Sequence, residues 1–173
     1  MRKERIRAAA SRFTRRLDIR TLPVDVDAFA AAAGLPVVRE SLDAEIAGAL
    51  ILTPDGPVAC LNRDQPRERQ RVMLAHLIGH VQLGHRFHGG ARVHVDRGFE
   101  AFRSERQYTA AERQDFEANV YGGWLLTPAA LLDAAVAERG NRRLTDDDIQ
   151  ALAAAFGVSV QGMTLRLSVV GKI

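Results

Sequence analysis

The chain has 173 residues, of which 47% are hydrophobic and 26% charged, and its formal net charge is +3. That length suits a single domain with a real core, and no apolar run reaches the eighteen or so residues of a membrane helix, so a soluble globular protein is expected. One cysteine, Cys60, leaves no internal disulfide, and no basic start followed by an apolar signal core opens the chain, which points to the cytoplasm.

Residues 3–17 read as an amphipathic helix, with Ile6, Ala9, Ala10, Phe13 and Leu17 recurring at spacings of three or four. The first twenty residues also hold eight Lys/Arg against Glu4 and Asp18, and a solvated basic face is the expected meaning. A second helix over 24–33 stops at Gly34, which suits the left-handed turn past a helix end. Three strands are expected in LPVVRESL, AGALILTP and PVACLNR, the last two forming a hairpin through TPDG, with Cys60 as a small core residue.

Asp64 can cap the next helix and Pro66 can enter its first turn. Apolar residues from Val72 to Leu83 cover nearly every side of that helix, which marks it as buried. Residues 86–109 then read as a long irregular loop containing Gly89, Gly90 and Gly98. A helix over about 110–125 follows. Thr127 and Pro128 supply an N-cap and a first-turn proline for a helix ending near Gly140. Thr145 caps a further helix whose first turn carries Asp146, Asp147 and Asp148 and whose end is Phe156-Gly157, and Ser159 caps a last one through about Val169. The C-terminus is thus expected to be helix, tight turn, helix.

AHLIGH, Ala75 to His80, carries the chemistry. Residues i and i+4 of a helix lie on one face roughly 6 Å apart, so His76 and His80 can aim ring nitrogens at one ion. Burying two imidazoles without partners would cost on the order of 1 to 3 kcal/mol each, which favours a metal over two idle side chains. A third ligand is expected from ERQDFEANVYGGWLLTP, which offers Glu112, Asp115 and Glu117. Asp115 and Asn119 are four apart and share a face, so Asp115 is the preferred ligand and Asn119 its outer-shell support. Glu117, about 200° around the helix from Asp115, is the alternative third ligand. His85, His88 and His94 could extend the metal site, although exposed loop histidines are the preferred reading, and Gly89-Gly90 lacks the strand and helix context of a phosphate-binding motif.

PVDVDAFAAAAGLPV, the hairpin ending in VACLN, RERQRVMLAHLIGH, DFEANVYGGWLLTP and IQALAAAFGVSVQGMTLRL, in that order, resemble the ImmA/IrrE family of zinc metallo-endopeptidases. The resemblance implies an α+β, zincin-like fold, mainly helical, with a small three-stranded sheet and a helix-turn-helix-like C-terminal hairpin. It implies one domain over 1–173, with a zincin-like core over 1–143 and the helix-turn-helix-like segment over 144–173. It also implies zinc held by His76, His80 and Asp115, a cytoplasmic location, and a helix-turn-helix repressor or peptide as partner in stress or mobile-element regulation.

Two positions depart from the family pattern. Leu77 stands where the family has its catalytic glutamate, and Trp124 where it often has an acid. A positioned general base contributes on the order of 10² to 10⁴ in rate, and leucine can neither take nor give a proton. The expectation is therefore a zinc-binding pseudo-peptidase that recognises its partner without cutting it. The alternative is an active metallo-endopeptidase with a relocated base such as Glu112 or Tyr108. A third option, DNA binding through the C-terminal segment, is weaker because its second helix carries one basic residue, Arg166, in a largely apolar run.

Overall fold

The computed structural model describes residues 2–17, 19–86, 93–96, 109–140 and 142–173. It is mixed α+β. Helices α1 (Arg2–Arg15) and α2 (Val26–Ala32) precede strands β1 (Val37–Glu40), β2 (Gly48–Thr53) and β3 (Gly56–Asn62). Helix α3 (Arg67–Gln82), strand β4 (Val93–Asp96) and helices α4 (Ala110–Leu126), α5 (Ala129–Ala137), α6 (Asp146–Phe156) and α7 (Val160–Val169) complete the order. Among the described residues no single helix is long and apolar enough to cross a membrane.

The chain divides into two compact units, one formed by Val26–Gly122 and the other by Met1–Asp25 with Gly123–Ile173. In the first, the strands make one sheet in the order β1-β3-β2-β4. The TPDG hairpin pairs β2 and β3 antiparallel, and Gly56 takes the positive φ of 126° that the turn requires. β1 joins β3 in parallel, while β4 joins β2 antiparallel with His94 opposite Leu50. The sheet thus has a fourth strand inside the segment expected to be irregular. Val-His-Val-Asp has the β-branched alternation of a strand, but four residues become one only by pairing with β2. His88, Gly89, Gly90, Gly98 and Tyr108 lie outside the described residues.

Behind the sheet, α3 buries every residue from Met73 to His80, as its all-round apolar pattern predicts. Its start differs from expectation. Pro66 is the N-cap residue and no side chain caps the helix, because the turn before it is organised by Asn62 instead of Asp64. The fully buried Asn62 amide accepts from the backbone N–H groups of Leu42 and Asp64 and donates to the carbonyls of Leu42, Asp43 and Ile46. Cys60 is buried in β3, and desolvation raises its thiol pKa, so it behaves as a small core residue.

The second unit packs Leu132, Leu144, Ile149, Leu152, Ala153, Phe156, Met163 and Leu167 into one core. Thr145 caps α6 in a full capping box with Asp148, Gly157 ends it with φ of 62°, and Ser159 caps α7. The two helices meet at 105°, in the range of helix-turn-helix pairs. Thr127 does not cap α5. Pro128 holds the N-cap position, because the Thr127 hydroxyl donates to the Gly123 carbonyl at 2.7 Å and accepts from Arg166 Nε at 2.9 Å. On α1 the basic side is exposed while Ile6 and Ala10 are buried.

Candidate metal centre

Two helices and one strand of the Val26–Gly122 unit bring the site together. α3 presents His76 and His80 from adjacent turns of one face, and α4 presents Asp115 and Asn119 in the same way. The two helices can approach closely because glycine stands where they meet. A Cβ on Gly79 would lie 2.7 Å from the Ala118 carbonyl oxygen, and one on Gly122 would lie 3.0 Å from the Ala75 carbonyl. His94 arrives from β4. Alternation along the strand exposes Val93 and Val95 by 48% and 44% and turns His94, opposite the buried Leu50, to the inner side.

The donors converge. His76, His80, His94 and Asp115 each offer one ligand atom, and these atoms all lie within 4.8 Å of one another. Nε2 of His80 stands 3.0 Å from Nε2 of His76 and 3.4 Å from Oδ1 of Asp115, and Nε2 of His94 stands 3.3 Å from the same oxygen. Ligands at zinc's usual 2.0–2.1 Å in a tetrahedron are separated by roughly 3.3 Å. Asp115 Oδ1 is buried yet makes no geometrically formed hydrogen bond, an arrangement that costs energy unless something else satisfies it.

Protonation states suit a cation. Burial lowers the His80 pKa to about 4, outweighing its contact with Asp115, so the ring is neutral at pH 7 and its lone pair is available. Burial alone would raise the Asp115 carboxyl, but the facing nitrogens of His80 and His94 outweigh it and hold the group below the ordinary carboxylate range. An ionised Asp115 carboxylate beside the neutral His80 ring suits zinc.

Outer contacts fix the rings. Asn119 Oδ1 lies 2.7 Å from His76 Nδ1, which makes that nitrogen the donor and leaves Nε2 to face the site. On the other side His85 Nδ1 lies 3.1 Å from His80 Nδ1, and His85 Nε2 lies 3.3 Å from Glu117 Oε2. His85 is therefore no exposed loop histidine. Just past α3, Gly84 at φ of 66° turns the chain back so that the His85 N–H donates to the His80 carbonyl, and burial lowers the imidazole pKa. Glu117 sits against His85, while Asp115 is the carboxylate among the four converging donors.

Leu77 is fully buried. Glu112, considered above as a replacement base, accepts from the Thr109 backbone N–H at 2.8 Å, and its own backbone N–H donates to Thr109 Oγ1 at 3.2 Å in return, closing a capping box at the start of α4. The sequence reading ranked His94 and His85 as exposed loop residues ahead of their role at the metal site. The signals were the Val-His-Val alternation and the glycine one residue before His85.

A search against curated proteins gave no match. A family model described as Peptidase_M78, IrrE N-terminal-like domain, matches residues 30–168, which include every residue of the site. That match covers most of the chain, and the fold and the His/Asp cluster agree with it: the protein belongs to the IrrE N-terminal-like family of zinc metallopeptidases.

Proposed function

We propose that this protein is a zinc-binding member of its family that has given up peptide hydrolysis and recognises a helix-turn-helix repressor or a peptide without cutting it, in stress or mobile-element regulation. The observation that carries the reading is the contrast at consecutive positions of α3. His76 faces the cluster with its tautomer set by Asn119, whereas Leu77 is an apolar, fully buried side chain at the position where the resemblance puts a proton-transfer glutamate.

A zinc with an open position would polarise a carbonyl and make a nearby water more acidic. The rest falls to the chain. His76, His80 and Asp115 supply donors, Asn119 and the Glu117-His85 pair orient the histidines, and no described carboxylate replaces Leu77. Glu112 is committed to capping α4, and both nitrogens of His85 are already placed against His80 and Glu117. Among the described residues, Glu112 and His85 are therefore not free to act as a relocated base.

The basic residue of α7 also weighs against direct DNA contact. Arg166 is 7% exposed, its guanidinium carbon lies 3.1 Å from the centre of the Trp124 ring, and it donates to the hydroxyl and carbonyl of Thr127. A side chain held in this way cannot reach a phosphate. Elemental analysis and incubation with the helix-turn-helix protein encoded nearest the gene test the reading together. The expected result is about one zinc per chain and an intact partner, and chelator-sensitive cleavage by the wild-type protein overturns it.

A further inference from the structure

We infer that His94 is a fourth protein ligand, so that the metal is closed to water and substrate and serves to fasten β4 to α3 and α4. The inference rests on the reading of the cluster as a zinc site and adds what kind of site it is. Zinc sites that catalyse keep three protein ligands and one open position, and structural sites fill all four with protein. Here four side chains from three elements converge, and His94 approaches Asp115 Oδ1 at 3.3 Å, as close as His80 does at 3.4 Å.

The strand supports the assignment. β4 spans Val93–Asp96 and among the described residues pairs with β2 alone, while its two valines face outward. It therefore brings little apolar burial of its own, and a four-residue edge pairing is weak. A histidine is its inward residue within reach of three other donors, so a metal bond would supply the anchoring that packing does not. Leu77 and His94 then describe one change. The position that would move protons is apolar, and the position that would admit water is occupied.

Cobalt substitution reads this without any assay of activity. The wild-type protein loaded with Co(II) is expected to show the intense visible bands of a four-coordinate tetrahedral ion, unchanged by acetohydroxamate or azide. X-ray absorption on the zinc form is expected to count three imidazoles. His94→Ala should weaken metal binding on the order of a hundredfold or more, beyond the range seen for outer-shell partners, and should make the cobalt bands respond to acetohydroxamate. Two imidazoles in the wild-type zinc protein, or wild-type cobalt bands that shift with hydroxamate, overturn the inference while leaving zinc binding intact. Failure of the wild-type protein to take up zinc overturns this inference and the metal-binding part of the proposed function together. Because the absorption measurement uses unaltered protein, a poorly folding His94→Ala does not affect the outcome.

Discussion

Asn119 Oδ1 lies 2.7 Å from Nδ1 of His76, across the junction of α4 and α3. The amide oxygen can only accept, so Nδ1 must carry the proton and Nε2 must present its lone pair to the cluster. Removing that acceptor frees the ring to rotate and to take the other tautomer. Asn119→Leu is expected to lower zinc affinity roughly 10- to 100-fold, while Asn119→Asp, which keeps an acceptor at the same reach, should retain most of it. Competition with a chromogenic chelator measures both. Equal affinities for the leucine variant and the wild type would show that the contact does not organise the site.

The same junction depends on two glycines. In Gly79→Ala the new methyl would sit 2.7 Å from the backbone oxygen of Ala118, which no side-chain rotation can relieve. α4 would have to move away, at a cost of about 1–3 kcal/mol, and would carry Asp115 and Asn119 with it. Gly122→Ala meets the Ala75 carbonyl at 3.0 Å and should be milder. Gly123→Ala has no atom within 4 Å and, as a helix-interior glycine, should stabilise by about 0.5–1 kcal/mol. Urea denaturation ranks the three. A Gly79→Ala protein as stable as Gly123→Ala would refute the close approach.

The parts of this site that were legible in the sequence are the parts set by local periodicity. His76 with His80, and Asp115 with Asn119, are each four residues apart on a helix, and spacing alone fixes their common face. His94 was not legible in that way, since its strand exists only through pairing with β2, some forty residues earlier in the chain. His85 needed the left-handed turn at Gly84 to be aimed at His80. The misplaced caps have the same origin. Thr127 looks like a cap until Arg166, 39 residues further along the chain, takes its hydroxyl.

Acid should destabilise the metal-free protein in a defined window. The His80 pKa is about 4 in the fold against 6.5 for an ordinary histidine. Between those values the unfolded chain holds the proton and the folded chain does not, so unfolding takes up a proton and stability falls as the pH drops from 6.5 to 4. That difference corresponds to about 3 kcal/mol. Asp115 is depressed, so its contribution is present above the usual carboxylate pKa and is lost only at lower pH. Protons also compete with zinc for the ring nitrogens, and metal release should follow the same window. Urea midpoints measured from pH 7.5 to 4.5 on chelator-treated protein test this, and a flat profile between 6.5 and 4.5 contradicts it.

Arg166 and Trp124 make a testable pair within the C-terminal unit. Burial lowers the Arg166 pKa to about 9, with the nearby Arg7 acting in the same direction, and its Nη1 is buried without a hydrogen-bond partner. The side chain nonetheless covers the indole and satisfies Thr127. Arg166→Ala should therefore lose about 1–3 kcal/mol, from the bared ring face and the unpaired Thr127 carbonyl. Arg166→Met, which keeps the packing and removes the buried charge, should lose less. If Arg166 served DNA, both variants would be stable and only a salt-dependent mobility shift would change. Thermal melts and mobility shifts on the same samples separate these outcomes.

Restoring the acid at position 77 tests how the two departures of this site relate. Leu77→Glu places a carboxylate where the wild-type side chain is fully buried, so the metal-free variant should be destabilised by several kcal/mol unless the group is held protonated. With zinc bound, the single variant is expected to leave a helix-turn-helix partner uncut, because His94 still occupies the position that water would need. The double variant Leu77→Glu/His94→Ala supplies a base and an open position together. Chelator-sensitive cleavage should appear in it first, at a rate of order 10² to 10⁴ above His94→Ala alone. Cleavage by Leu77→Glu alone, at the rate of the double variant, would mean that the leucine is the sole lesion and that His94 leaves room at the metal.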